Sequence, residues 1–128
     1  MLSGVEHIGL MAKDSLKLAE WYEQVLGLRK VFQSDDTPPA VFLAGEKSGM
    51  IELVPYPKGV ELPEKDKRLH IAIAVDDFDQ AMTELTAKGV KFPEPVIHLF
   101  KGGKTLFFQD PEGNWLQIVY RPETPWKI

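Results

Sequence analysis

The chain has 128 residues, 44% of them hydrophobic and 27% charged, with no cysteine, which sets aside fibrous, disordered and disulfide-stapled classes and fits one soluble domain. Its 15 Lys+Arg stand against 19 Asp+Glu for a formal charge of -4, without the basic stripe of a nucleic-acid binder, so neither nucleic acid nor an anionic membrane is an expected partner. No apolar run approaches the roughly 18 residues of a membrane span, and Met1-Leu2-Ser3-Gly4 does not open like a signal segment. A cytoplasmic location is expected. Without thiols, the chemistry must rest on His, carboxylate, amide or hydroxyl groups. Folding at this length buries about two-thirds of the chain's surface, so a metal ion would serve chemistry rather than hold the fold together.

In chain order, a strand around His7 is followed by Asp14 and a helical pattern of Leu16, Leu18, Ala19, Tyr22 and Leu26 that stops at Gly27. Three β-rich runs come next: Leu28 to Gln33, Ala40 to Leu43 and Met50 to Val54. Pro55, Pro57, Gly59 and Pro63, then Glu64-Lys65-Asp66-Lys67, read as an exposed linker over 57–67. The pattern then repeats. Arg68-Leu69-His70-Ile71-Ala72-Ile73 resembles Val5-Glu6-His7-Ile8-Gly9-Leu10, with 70 − 7 = 63 residues between the histidines, and Asp77 follows Asp14 by the same spacing. The second helical pattern carries Phe78, Ala81, Met82 and Leu85 and stops at Gly89. Strands are expected over Val96 to Leu99, Lys104 to Gln109 and Asn114 to Tyr120. Lys101-Gly102-Gly103-Lys104 forms a two-glycine hairpin signal, and Asp110-Pro111-Glu112-Gly113 a Pro/Gly turn. Trp21, Tyr22, Phe78 and Met82 fall at helical spacing and are expected in the core. Each half therefore reads as β-α-β-β-β, about 1–56 and 68–122, within one α+β domain of two modules.

Period-2 alternation sorts each strand into two faces. Around His7, Ile8 and Leu10 share one face, expected to pack on the helix, while Val5, His7, Gly9 and Met11 share the other. Around His70, Ile71, Ile73 and Val75 oppose His70, Ala72 and Ala74. The last strand of each module opposes Ile51 and Leu53 to Glu52, and Leu116 and Ile118 to Gln117. Glu52 follows His7 by 52 − 7 = 45 residues and Gln117 follows His70 by 117 − 70 = 47, so the modules supply matching pairs. Two imidazoles, a carboxylate and an amide oxygen suit a divalent ion such as Zn, Ni, Co, Fe or Mn with open positions for water or substrate. Taken singly, each residue has a plainer reading: a hydrogen-bonded strand histidine, a glutamate facing solvent on an edge strand, a polar surface residue beside Trp115. Their common place in the repeat is what joins them. His98 reads as a half-exposed strand residue, and Lys101 and Lys104 as a solvated turn.

The stretches His7-Ile8-Gly9-Leu10, Leu18-Ala19-Glu20-Trp21-Tyr22 to Val25-Leu26-Gly27-Leu28, Met50-Ile51-Glu52-Leu53, His70 to Val75 and Phe108-Gln109-Asp110-Pro111-Glu112-Gly113-Asn114-Trp115-Leu116-Gln117 resemble the vicinal oxygen chelate superfamily. That superfamily includes glyoxalase I, bleomycin and fosfomycin resistance proteins, methylmalonyl-CoA epimerase and extradiol dioxygenases. The resemblance implies paired βαβββ modules forming a cupped mixed sheet with helices outside, a homodimer, a small-molecule substrate and a divalent metal ion. Carried over by position, His7, Glu52 and His70 match metal ligands of glyoxalase I, and Gln117 stands where a second Glu is usual. An amide ligates through oxygen and cannot take up a proton, which leaves Glu52 as the base of a proton-transfer reaction on a 2-oxoaldehyde thiol adduct. Met11 and Tyr56 replace the Arg and Asn of glutathione-using relatives, so a different substrate is expected, with Met11, Tyr56, Phe107 and Trp115 lining its pocket. The resemblance also leaves open a sequestering protein without turnover and an acyl-thioester epimerase.

Overall fold

A computed structural model describes residues 1–47 and 49–127. The chain divides into two compact units, Met1–Pro63 and Glu64–Ile128. The first contains β1 (His7–Ala12), α1 (Ser15–Leu26), β2 (Arg29–Gln33), β3 (Val41–Ala44) and β4 (Met50–Pro55); the second contains β5 (His70–Ala74), α2 (Phe78–Ala87), β6 (Ile97–His98), β7 (Lys104–Gln109) and β8 (Trp115–Tyr120). A short 3₁₀ turn, Phe100–Gly102, joins β6 to β7. The sheets share one order, β1-β4-β3-β2 and β5-β8-β7-β6. In each, the first and last strands of the unit pair in parallel and the others antiparallel. The expected βαβββ pattern is therefore present in both halves.

Local signals in the sequence account for the helix ends. The Asp14 carboxylate accepts the Lys17 N–H at 3.0 Å, and the Asp77 carboxylate accepts the Gln80 N–H at 3.0 Å, so the repeat-related aspartates are both N-caps. Gly27 takes a left-handed φ of 69° and lets the Leu28 N–H reach the Tyr22 carbonyl at 3.2 Å. Gly89, at φ 92°, does the same for the second helix, with the Val90 N–H donating to the Leu85 carbonyl at 3.0 Å.

Each helix covers one face of its own sheet. Leu18, Ala19 and Tyr22 of α1 are buried with Val41, Leu43, Ile51 and Leu53; Phe78 and Leu85 of α2 are buried in the second unit, where Leu106, Phe108, Leu116 and Ile118 form the sheet's contribution. Each buried Val, Leu, Ile or Phe side chain among these contributes about 1.5–3 kcal/mol by leaving water. Four expectations are corrected in detail. Ile8 shares the helix-side face with Ile51 yet is 52% exposed, because β1 is the edge strand and α1 packs over β2, β3 and β4. Leu16 is likewise exposed. Trp21 and Met82 are only part-buried. The two-glycine loop is not a tight hairpin turn: it runs from Leu99 to Gly103, with Lys101 itself at φ 54° and the Leu99 N–H bonded to the Gly103 carbonyl at 2.8 Å.

The turn between β7 and β8 is built on a buried carboxylate. Asp110 accepts from the Glu112 N–H at 2.9 Å, the Asn114 N–H at 3.0 Å and the Asn114 side-chain amide at 2.7 Å, and Gly113 at φ 86° closes the turn. Asp110→Ala leaves these donors without their acceptor. It is expected to lower stability by about 1–3 kcal/mol, read as a shift of the urea midpoint at unchanged m-value.

Candidate functional site

The register of the parallel pairs decides which side chains share the open face of each sheet. In the first unit Gly9 lies opposite Glu52, and Phe42 of β3 lies on the other side of Glu52. In the second unit Ala72 lies opposite Gln117, with Phe107 of β7 on the other side. Each histidine is two residues before the small residue, so His7, Glu52 and Phe42 share one face, and His70, Gln117 and Phe107 occupy the corresponding positions on theirs. Both faces are turned away from the helix-covered core.

In the first unit the His7 Nε2 is 3.2 Å from the Glu52 Oε1, and its Nδ1 is 2.9 Å from the Glu6 Oε1. A carboxylate only accepts, so each ring nitrogen faces an acceptor, and the shorter contact is the one from Nδ1 to Glu6. With the ring proton on Nδ1, the Nε2 lone pair faces the Glu52 oxygen, the arrangement that two ligands of one cation take; with a proton on Nε2, the same contact is a His–Glu hydrogen bond. Two donors bound to one divalent ion at about 2.0–2.2 Å, with angles between octahedral and tetrahedral, lie about 2.9–3.4 Å apart. The observed separation falls in that range. Phe42 packs its ring against His7 with centroids 5.4 Å apart and planes at 79°, which holds the imidazole on its axis.

The second unit repeats the device with different partners. The His70 Nδ1 lies 2.9 Å from the Lys67 carbonyl oxygen, which only accepts, so Nδ1 is the donor in that contact. Phe107 meets His70 at 5.1 Å and 89°, and Trp115 meets Phe107 at 6.3 Å. The turn that delivers the Lys67 carbonyl is tied by Asp66, which accepts from the Arg68 N–H at 2.8 Å, from its Nη2 at 2.6 Å and from its Nε at 3.1 Å. The Arg68 side chain, more than the Arg68 backbone N–H, holds the Asp66 carboxyl below its ordinary range.

Two plain readings of single residues give way here. Glu52 stands on β4, which is paired on both sides, and so is not on an edge strand. Gln117 is buried at 9% exposure on β8, also paired on both sides, and so is not a surface residue. Met11 lies on the His7 face of β1, 37% exposed. Tyr56 follows β4, part-buried, its N–H bonded to the Ala12 carbonyl at 2.9 Å. The structure thus brings His7 to Glu52 and sets His70 and Gln117 on one face. Among the described residues no group of three or more His, Asp or Glu is gathered as a metal cluster. Three participants were not singled out from the sequence: Glu6, Lys67 and the role of Phe42. A signal for the last was present, since Phe42 precedes Glu52 by 52 − 42 = 10 residues and Phe107 precedes Gln117 by 117 − 107 = 10.

Comparison with known proteins agrees with this frame. Residues 4–118 match the model of the Glyoxalase/Bleomycin resistance protein/Dioxygenase superfamily, and the chain belongs to that superfamily. It is 28% identical over 126 residues to YwbC of Bacillus subtilis (strain 168), covering 94% of this chain and 100% of that protein. A superfamily member from Sphaerobacter thermophilus superposes with a TM-score of 0.75 at 25% identity, over 94% of this chain and 98% of the other. The fosfomycin resistance protein FosX of Listeria monocytogenes, solved as a point mutant with Mn(II) and a dihydroxypropylphosphonic acid, shares the fold with a TM-score of 0.71 at 22% identity, over 92% and 90% of the two chains.

The Asp66 geometry sets a titration. A carboxyl lowered in the folded chain contributes stability above its unfolded pKa, and that contribution is lost as pH falls through the folded value. In a ¹³C NMR titration Asp66 is expected to titrate below the ordinary value of 3.8, and Arg68→Ala is expected to return it toward that value.

Proposed function

With membership of the superfamily as the premise, we propose that the chain is a metal-dependent lyase or isomerase of glyoxalase type, acting by proton transfer on a small substrate with two adjacent oxygens. The observation that carries this reading is the His7–Glu52 pair, whose 3.2 Å separation suits two ligands of one ion. The proposed ligands are His7, Glu52, His70 and Gln117. The donor chemistry fits a divalent metal: two imidazoles, one carboxylate and one amide oxygen. When bound, the ion supplies Lewis-acid polarisation of substrate oxygens.

The chain's own groups do the rest. The Glu52 carboxylate takes the proton from the substrate carbon beside a carbonyl and returns it to the neighbouring carbon, so one residue serves as base and then as acid. Gln117 has no proton to give and none to take, which assigns both halves of the transfer to Glu52. In this reading Glu6 and the Lys67 carbonyl hold the ring protons on Nδ1 of the two histidines and leave each Nε2 for the ion. Phe42 and Phe107 seat the rings, and Met11, Tyr56, Phe107 and Trp115 are the proposed apolar lining. The same proton chemistry would serve an acyl-thioester epimerase. We place the protein in the cytoplasm and expect a homodimer.

A second reading, a binding protein that sequesters a small molecule without turnover, is favoured by Gln117 in place of a carboxylate and by the lack of a three-residue cluster among the described residues. Elemental analysis of chelator-free protein separates the two. The enzyme reading expects near-stoichiometric divalent metal, lost in a His7→Ala/His70→Ala variant. It also expects Glu52→Gln to lower turnover of hemithioacetal or acyl-thioester substrates by about 10²–10⁴-fold. Little metal in either protein after incubation with Ni, Co, Zn and Mn overturns it in favour of the binder.

A further inference from the structure

Lys67, in a stretch that reads as linker, has its ammonium on the open face of the second unit. The Nζ lies 5.2 Å from the centroid of the Phe107 ring and 5.7 Å from that of Trp115. These are the rings beside His70, and Phe107 is the residue opposite Gln117. The ammonium is also bound to both oxygens of Glu94, at 2.6 Å and 2.8 Å. Glu94 lies between α2 and β6, outside any helix or strand. The side chains of the pair keep 39% and 40% of their exposure, so neither is sealed from a ligand.

Two explanations compete for this arrangement. In one, Lys67 and Glu94 tie the chain entering β5 to the α2–β6 connection, and the rings only cover the lysine stem. In the other, the ammonium belongs to the binding face and Glu94 occupies the place of a ligand's anionic group. Position favours the second. A half-exposed ion pair stabilises little, and it has no need of two aromatic rings, one of which already packs against the histidine. A cation held over ring faces, by contrast, makes a subsite where an apolar body lies against the rings and a negative group meets the ammonium. The first unit has no counterpart: the repeat places Gly4 at the position of Lys67, since 67 − 63 = 4, and Glu6 beside His7 gives that face the opposite charge.

We propose that Lys67 is a specificity-determining residue that recognises the carboxylate of a small acid with an apolar body, and that Glu94 is an internal competitor displaced when the acid binds. This rests on the reading of the His70 face as the ligand side, but not on metal binding or turnover. The test is a titration of the protein with benzoate, benzyl alcohol and acetate, followed at the Trp115 indole N–H by ¹H–¹⁵N NMR, with and without added metal ion. Benzoate is expected to bind saturably and more tightly than either partial analogue. Lys67→Met is expected to weaken benzoate by about tenfold, the loss of one charge-assisted hydrogen bond. Glu94→Gln is expected to strengthen it by about two- to fivefold, the worth of a partly exposed ion pair. The opposite signs are the discriminating feature, because a merely structural pair is broken by either substitution alike. Weakening by both variants, no change in either, or equal binding of benzoate and benzyl alcohol overturns the proposal. The metal content of the same samples reports separately on the reading of the metal site.

Discussion

The arrangement depends on the register of one parallel strand pair, made twice. Within each unit the first and last strands run side by side, and the pairing sets Gly9 against Glu52 and Ala72 against Gln117. A slip of one residue would turn Glu52 toward α1 and send Ile51 and Leu53 into water, because the side-chain period of a strand is two. Leu53, Leu116 and Ile118, all essentially fully buried, resist such a slip in their own units. The apolar core therefore aims the polar groups on the opposite face, and the site needs no separate device to hold its strands in place.

This coupling explains why so much of the site was legible in the sequence. Alternation in the two histidine strands and the two last strands assigned faces, and the spacing of 63 residues matched the modules; neither step needed distances. The aspartate caps and the glycine stops were equally local. What was not legible came from contacts between residues far apart in the chain or off the repeat. Edge placement left Ile8 exposed although its face was assigned as the helix side. The 3₁₀ turn at Phe100–Gly102 put a lysine, not a glycine, at the first positive φ, a choice that the hairpin pattern does not encode. Glu94 closes on Lys67 from 94 − 67 = 27 residues away, and no periodicity links the two.

The duplication is close in geometry and broken in charge. Both histidines are met edge-on by a phenylalanine at the same register. Yet the Nδ1 of His7 faces a carboxylate and that of His70 a backbone carbonyl. The last strands carry a carboxylate in one unit and an amide in the other. The first face gathers Glu6 and Glu52 and is suited to a cation; the second gathers Lys67 and a neutral amide. A repeat that kept its charges equal would place two bases where a one-base proton transfer uses one. The divergence of Glu52 and Gln117 thus makes chemical sense within the proposed reaction, with one residue moving the proton and its counterpart restricted to donating an oxygen lone pair.

Gly9 brings the backbone argument and the chemistry together. Its φ is not in the left-handed region, and a Cβ built there would meet no atom within 4 Å. Neither backbone strain nor close packing within the chain explains the absence of a side chain. What lies opposite does: Gly9 faces Glu52 across the parallel pair, between His7 and Met11 on the same face. A branched or aromatic residue there would be tolerated by the sheet, and favoured by strand propensity, but would stand beside the carboxylate and cover it. The other unit makes the same choice with Ala72, the smallest residue that has a Cβ, beside Gln117. The missing side chain at Gly9 leaves Glu52 uncovered, which suits the proton-transfer role proposed for it, whereas Gln117 beside Ala72 is buried at 9% exposure, in keeping with the more passive role proposed for the amide.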